Sequence, residues 1–228
     1  MSSGKVPEKE VREKQGKAIL SFMDSKVRLI ADDGAEYGTR IEFRGITNQS
    51  LGGTFEPYKE GERFKVHGIS VSRRARDTLG DEGVTFAHEF GHRVDRYKGK
   101  YISRDTSFLR DLAAQGDTTF MPNPAEVADA VDEFVMACKE SPSILKLIEE
   151  NADDRKWVNY ATSPHEMFAR AYAQWVTEGM RAKGVATAAG MRVGIIKSAQ
   201  TGYAWTDAEW SVIGPLLEKI LRVRGMIV

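Results

Sequence analysis

Apolar side chains recur along this chain in three regimes. From Glu8 to Ile30 the set Val11, Ala18, Ile19, Phe22, Met23, Val27 and Ile30, among many charges, predicts one or two helices as an N-terminal flank. Turn signals at Asp32-Asp33-Gly34 and Tyr37-Gly38 close it. Strand-like segments follow: Thr39–Arg44 with Ile41 and Phe43 on one face, Gly53–Tyr58, and Phe64–Val71 with Phe64, Val66, Ile69 and Val71. Lys59-Glu60-Gly61-Glu62 predicts a hairpin turn between the last two. The strand ending at Ser70-Val71-Ser72 either offers a free edge to an extended peptide or only roofs the core.

Beyond residue 80 the spacing turns helical. One helix is expected over about Asp81–Tyr97, stopping near Gly99, and residues 98–122 read as a loop-rich wall or lid. Asn123-Pro124-Ala125-Glu126, with an Asn cap, Pro first and Glu third, opens a helix to about Lys139. Ser141-Pro142 opens another to about Asn151, and Ser163-Pro164 a half-aromatic one running through Val176. Residues 181–204 are rich in Gly and Ala and weakly patterned. Thr206-Asp207-Ala208-Glu209 is a capping box before a last helix with Trp210, Ile213, Leu216, Leu217, Ile220 and Leu221. These elements imply an α+β fold: a small mixed sheet against one helix, then a mainly helical C-terminal half. The expected divisions are a flank (1–38), a core (39–180) and a helical extension (181–228), joined in one compact unit.

Composition narrows the function. Lys and Arg number 33, as do Asp and Glu, so no overall field recruits nucleic acid or an anionic membrane. The local cluster Ser72-Arg73-Arg74-Ala75-Arg76 reads as solvated surface or as a substrate contact. No apolar run is long enough to span a bilayer, and Met1–Lys17 has no apolar signal core, so a cytoplasmic protein of the producing cell is expected. A lone cysteine, Cys138, excludes an internal disulfide and lies in a helical apolar run, which marks it as core.

The chemistry concentrates in Ala87-His88-Glu89-Phe90-Gly91-His92-Arg93-Val94-Asp95. On a helix, His88 and His92 lie one turn apart on one face and can aim two imidazole nitrogens at a point about 2 Å from each, as a tetrahedral zinc requires. Glu89 sits beside such a metal but not on it, placed to take a proton from water. Gly91 is unfavourable in a helix interior by about 1 kcal/mol against Ala and suggests close packing by another element. A catalytic zinc needs a third protein ligand, for which His165, Glu166 and Glu126 are the candidates. Glu166 is favoured, because Ala169 and Ala173 together with Gly91 would let its helix cross closely behind the metal helix. The competing reading makes Ser163-x-x-Glu166 a capping box, which a carboxylate on zinc cannot also complete.

His88-Glu89-Phe90-Gly91-His92-x-Val94-Asp95 followed by Glu166-Met-Phe-Ala-Arg-Ala-Tyr resembles the gluzincin metallopeptidases over about residues 65–178. It is most similar to the anthrax lethal factor-like branch and to HEFGH-type domains of phage and mobile-element proteins. The resemblance implies a zincin-like fold and a zinc-dependent endopeptidase with Glu89 as general base. His88, His92 and Glu166 would then be ligands, and Tyr160 the oxyanion partner. Many relatives carry an acidic residue one turn after the ligand glutamate to orient a zinc histidine; here that position is Arg170, and Asp95 is the candidate substitute. The implied partner is a peptide or protein substrate. The alternative is an inactive zincin scaffold acting as a structural or interaction protein, with a phage-virion, effector or secretion-system assembly partner.

Overall fold

The computed structural model describes residues 16–22, 38–42, 53–60, 63–71, 82–97, 99–118 and 121–227. The expected turns at 32–34, the Ser72–Arg76 cluster and most of the N-terminal flank lie outside them. Residues 16–22 form helix α1, with Ile19 and Phe22 buried.

Strands β1 (Gly38–Glu42), β2 (Gly53–Glu60) and β3 (Arg63–Val71) make a mixed sheet in the order β1-β3-β2. Strand β3 runs parallel to β1, with Gly38 opposite Val66, and antiparallel to β2, from Gly53 opposite Val71 to Glu60 opposite Arg63. The hairpin expected at 59–62 therefore closes at Glu60 and Arg63. One expectation is corrected. Strand β3 is paired on both sides and has no free edge for a peptide; the outer edges belong to β1 and β2.

Helix α2 (Glu82–Val94) lies between β2 and β3 on one side and α7 on the other. It ends three residues earlier than its apolar pattern suggested. The Asp95 N–H still reaches the Gly91 carbonyl (2.8 Å), but Arg96–Tyr97 then forms β4, paired with β5 (Lys100–Tyr101) around Gly99 at φ 78°. Arg224, arriving from the C-terminus, donates to the carbonyls of Val94 and Arg96. It thereby satisfies acceptors at a helix end that would otherwise need a cap.

The remaining elements are helices: α3 (Ser107–Ala114), α4 (Pro124–Glu140), α5 (Pro142–Glu150), α6 (Arg155–Ala161), α7 (Pro164–Ala182), α8 (Thr187–Gln200) and α9 (Asp207–Val223). Thus an expected loop contains α3, and a weakly patterned stretch contains α8, whose Ala188, Met191, Ile195 and Ser198 are buried. The architecture is α+β, predominantly helical.

Helix α7 is the axis of the molecule. Every residue from Glu166 to Thr177 is buried, so it is covered on all sides, by α2, α4, α6, α8 and α9 among its neighbours. Its one neutral polar amide in that run, Gln174, exchanges hydrogen bonds with the backbone of Trp205 (2.9 and 3.1 Å), docking the loop before α9. The capping box at Thr206 and Glu209 forms as expected. Among the described residues, no helix is long and apolar enough to cross a membrane.

Candidate metal centre

Two helices that approach unusually closely bring the site together. A Cβ built on Gly91 would lie 2.8 Å from the Ala169 Cα and 3.0 Å from both the Ala169 oxygen and the Tyr172 Cβ. Only glycine permits this approach. It sets the His88 and His92 rings, 4.8 Å apart and edge-on at 89°, opposite the first turn of α7.

Glu166 meets them there. Its Oε2 lies 3.3 Å from His88 Nε2 and its Oε1 3.3 Å from His92 Nε2. The three form a group that could hold a metal ion. The spacing is informative. Charge-assisted N–H to carboxylate hydrogen bonds settle at about 2.7–2.9 Å. Two ligands each 2.0–2.1 Å from a tetrahedral zinc lie about 3.3 Å from each other.

The capping alternative for Glu166 fails. Ser163, at the N-cap, makes no side-chain cap; its hydroxyl donates to the Tyr160 carbonyl at 2.6 Å. Burial alone would raise the Glu166 carboxyl, but hydrogen bonds and charge from His88 and His92 outweigh it and hold the group ionised well below its usual range. Of the other candidate ligands, Glu126 is exposed and accepts from the Asn123 amide (3.1 Å), which also means Asn123 does not cap α4 as expected.

Around the three converging groups stand four more. Glu89 is buried, and its charge is among those that raise the phenols of both Tyr160 and Tyr101. Tyr160 is 54% exposed as a residue, yet the charge of Glu166 acts on its phenol. Desolvation first, then the charge of Glu166 and hydrogen bonding to it, push that phenol far up. His165 lies at the rim, its Nε2 3.9 Å from Glu166 Oε1, and burial pushes it down to about 4. Tyr101, on β5, packs 4.9 Å from His165 and 5.9 Å from His92, ring centre to ring centre. Sequence reasoning missed Tyr101, because the two-residue strand carrying it has no pattern to read.

One expectation about orientation is corrected. Asp95 does not hold a zinc histidine: it is fully buried, and its oxygens accept from the Ser103 backbone N–H (3.0 Å) and hydroxyl. His92 Nδ1 is buried and has no hydrogen-bond partner among the described residues. Arg170 does not face the histidines either; it donates to the backbone carbonyls of Glu166 (3.2 Å) and Ala161. Cys138 is buried, and burial pushes its thiol up, in keeping with a core role.

No family model, curated protein or solved structure matches the chain.

Proposed function

We propose that this chain is a zinc-dependent metallopeptidase of the gluzincin kind, with a peptide or protein as substrate and no role for nucleic acid. The observation that carries this reading is the meeting of His88, His92 and Glu166, with each imidazole Nε2 3.3 Å from one oxygen of the Glu166 carboxylate. Two imidazoles and one carboxylate suit zinc better than calcium or magnesium, which prefer all-oxygen shells. Zinc bound through three protein groups keeps a position for water, lowers that water's pKa to about 7 and polarises the scissile carbonyl.

The chain's own residues supply the rest. Glu89 follows His88 on α2 and is buried beside the ligands, so its carboxylate takes the proton of the attacking water and passes it to the leaving amine. The Tyr160 hydroxyl, on which the Glu166 charge already acts, donates to the carbonyl oxygen as charge builds there. Phe90 of α2 and Tyr172 of α7 are buried and stack on each other, which ties the two helices together.

The test is Glu89→Gln, assayed beside wild type on a proteome-derived peptide library read by mass spectrometry. Zinc content is expected to stay at wild-type level while hydrolysis falls by about 10³-fold. Retained hydrolysis in the variant, or a wild-type protein that takes up no zinc, would refute the mechanism. Zinc uptake with no cleavage of any peptide by wild type would instead favour the interaction-protein alternative.

A further inference from the structure

A histidine that binds a metal through Nε2 ordinarily has its ring fixed by a hydrogen bond from Nδ1 to a carboxylate, carbonyl or water. Among the described residues His92 Nδ1, which is buried, meets no protein acceptor. Asp95, the acceptor the sequence offered, is committed to Ser103, and the position one turn after Glu166 holds Arg170, a donor only, which binds backbone carbonyls.

What His92 has instead is rings. Tyr101 meets it nearly edge-on, at 5.9 Å and 68°, and His165 lies at 5.8 Å and 44°. Tyr101 and His165 also contact each other, at 4.9 Å and 32°, so the three rings close a triangle. Ring pairs at such separations favour defined tilts, so the contacts restrict how the imidazole can turn.

Tyr101 is itself held from three directions. Its strand pairs with β4, where Arg96 stands opposite it, and the Arg96 guanidinium lies 5.1 Å from its ring. The next residue, Ile102, donates its N–H to the Asp95 carbonyl (2.9 Å), and Ser103 is gripped by the Asp95 side chain. The buried Asp95 thus acts on His92 at one remove, by locking the hairpin that carries Tyr101.

We propose that Tyr101 is a positioning residue for the His92 imidazole, doing by ring packing what an acceptor at Nδ1 does in an ordinary metal site. The inference rests on zinc binding by His88, His92 and Glu166. The experiment therefore includes Glu166→Ala, which must lose zinc for that reading to stand.

Zinc affinity of the full chain is measured by competition with a chromophoric chelator for wild type, Tyr101→Phe, Tyr101→Leu and Tyr101→Ala, with circular dichroism to check folding. Tyr101→Phe is expected within about threefold of wild type. Tyr101→Leu, which fills most of the space without an aromatic face, is expected to lose about 10-fold, and Tyr101→Ala 10–100-fold, the range seen when such orienting partners are removed. Wild-type affinity in the Leu variant would overturn the aromatic role even if the Ala variant failed to fold. A Phe variant as weak as the Ala variant would also overturn it, since the hydroxyl and not the ring would then matter. A wild type that binds no zinc would sink both this inference and the zinc reading; normal zinc binding with insensitive Tyr101 variants would sink this inference alone.

Discussion

Adding one methyl group at Gly91 probes whether the separation of α2 and α7 sets the metal geometry. In Gly91→Ala the new Cβ would start 2.8 Å from the Ala169 Cα, where ordinary contact begins at 3.4 Å. The obstructing atoms are backbone and Cβ atoms of a buried helix, with no rotamer to change. The helices must therefore part by about 0.6 Å, the difference of those two distances. His88 and His92 lie on one side of that opening and Glu166 on the other, so their 3.3 Å separations lengthen with it. Metal sites tolerate only about 0.2 Å of error in ligand distance. Two effects on stability oppose each other: overpacking costs about 1–3 kcal/mol, and replacing a mid-helix glycine by alanine returns about 1. The metal-free protein is thus expected to lose at most about 2 kcal/mol in urea unfolding with EDTA present. Zinc affinity, from chelator competition, is expected to fall by about 10–100-fold. A variant that binds zinc like wild type and is more stable by about 1 kcal/mol would refute the close-packing argument outright, because it would mean the glycine was never needed.

Saturating zinc at about 100 times its Kd should add about 2.7 kcal/mol of stability. For a chain of this length that raises Tm by roughly 5–11 °C; EDTA should reverse the rise and Glu166→Ala should lack it, whereas a Tm indifferent to both zinc and EDTA would contradict the site. Tyr160→Phe should keep zinc affinity and lower kcat by about 10²-fold, and a matching loss of zinc affinity would move Tyr160 from oxyanion partner to metal-site support. Burial pushes Asp95 up to about 8 against the hydrogen bonds from Ser103, from an ordinary value of 3.8. Because the folded state holds that proton more tightly, this contribution is complete below about pH 4 and is lost as pH rises towards 8. Asp95→Asn mimics the neutral carboxyl, its oxygen accepting from the Ser103 N–H and its amide donating to the hydroxyl. In metal-free urea unfolding the wild type should weaken relative to Asp95→Asn between pH 5 and 8; a difference that does not change with pH would refute the assignment.

Much of the site could be read before any coordinates, for physical reasons that also explain what could not. The i, i+4 histidines announce themselves because one turn of helix fixes their relation. Gly91 announces close packing because it has no other reason to sit mid-helix, and Ala169 and Ala173 were legible as its counterpart on α7. The sheet's alternation gave its strands, but strand order is a long-range property. Nothing in Phe64–Val71 says that this strand returns to lie between β1 and β2 and so loses its free edge. The β4–β5 ribbon was hidden for a different reason. Val84, Ala87, Gly91 and Val94 carry a helical period up to the point where Arg224, some 130 residues further on, takes the carbonyls of Val94 and Arg96. A helix end fixed by a distant side chain leaves no local signal. Tyr101 and its rings were lost with it.

Arg170 stands where the resemblance implies an acidic residue. An acidic residue at that position would face Glu166 at i, i+4, where like charges repel. The guanidinium instead lies buried 5.7 Å from the Tyr203 ring and donates to the carbonyls of Ala161 and Glu166, so it joins the end of α6 to the first turn of α7. That corner carries Tyr160, whose carbonyl also accepts from Ser163 at 2.6 Å. The residue that departs from the expected pattern therefore bears on Tyr160 rather than on an imidazole, and its positive charge favours the ionised form of Glu166 that a metal requires. Orienting His92 then has to come from elsewhere. The fold provides for it on the opposite wall, where Asp95 grips the hairpin and the hairpin presents Tyr101. In the proposed site, support is divided between the hairpin that Asp95 grips and the corner that Arg170 binds, and this accounts for a buried Asp95 that turns away from the histidine it was expected to hold.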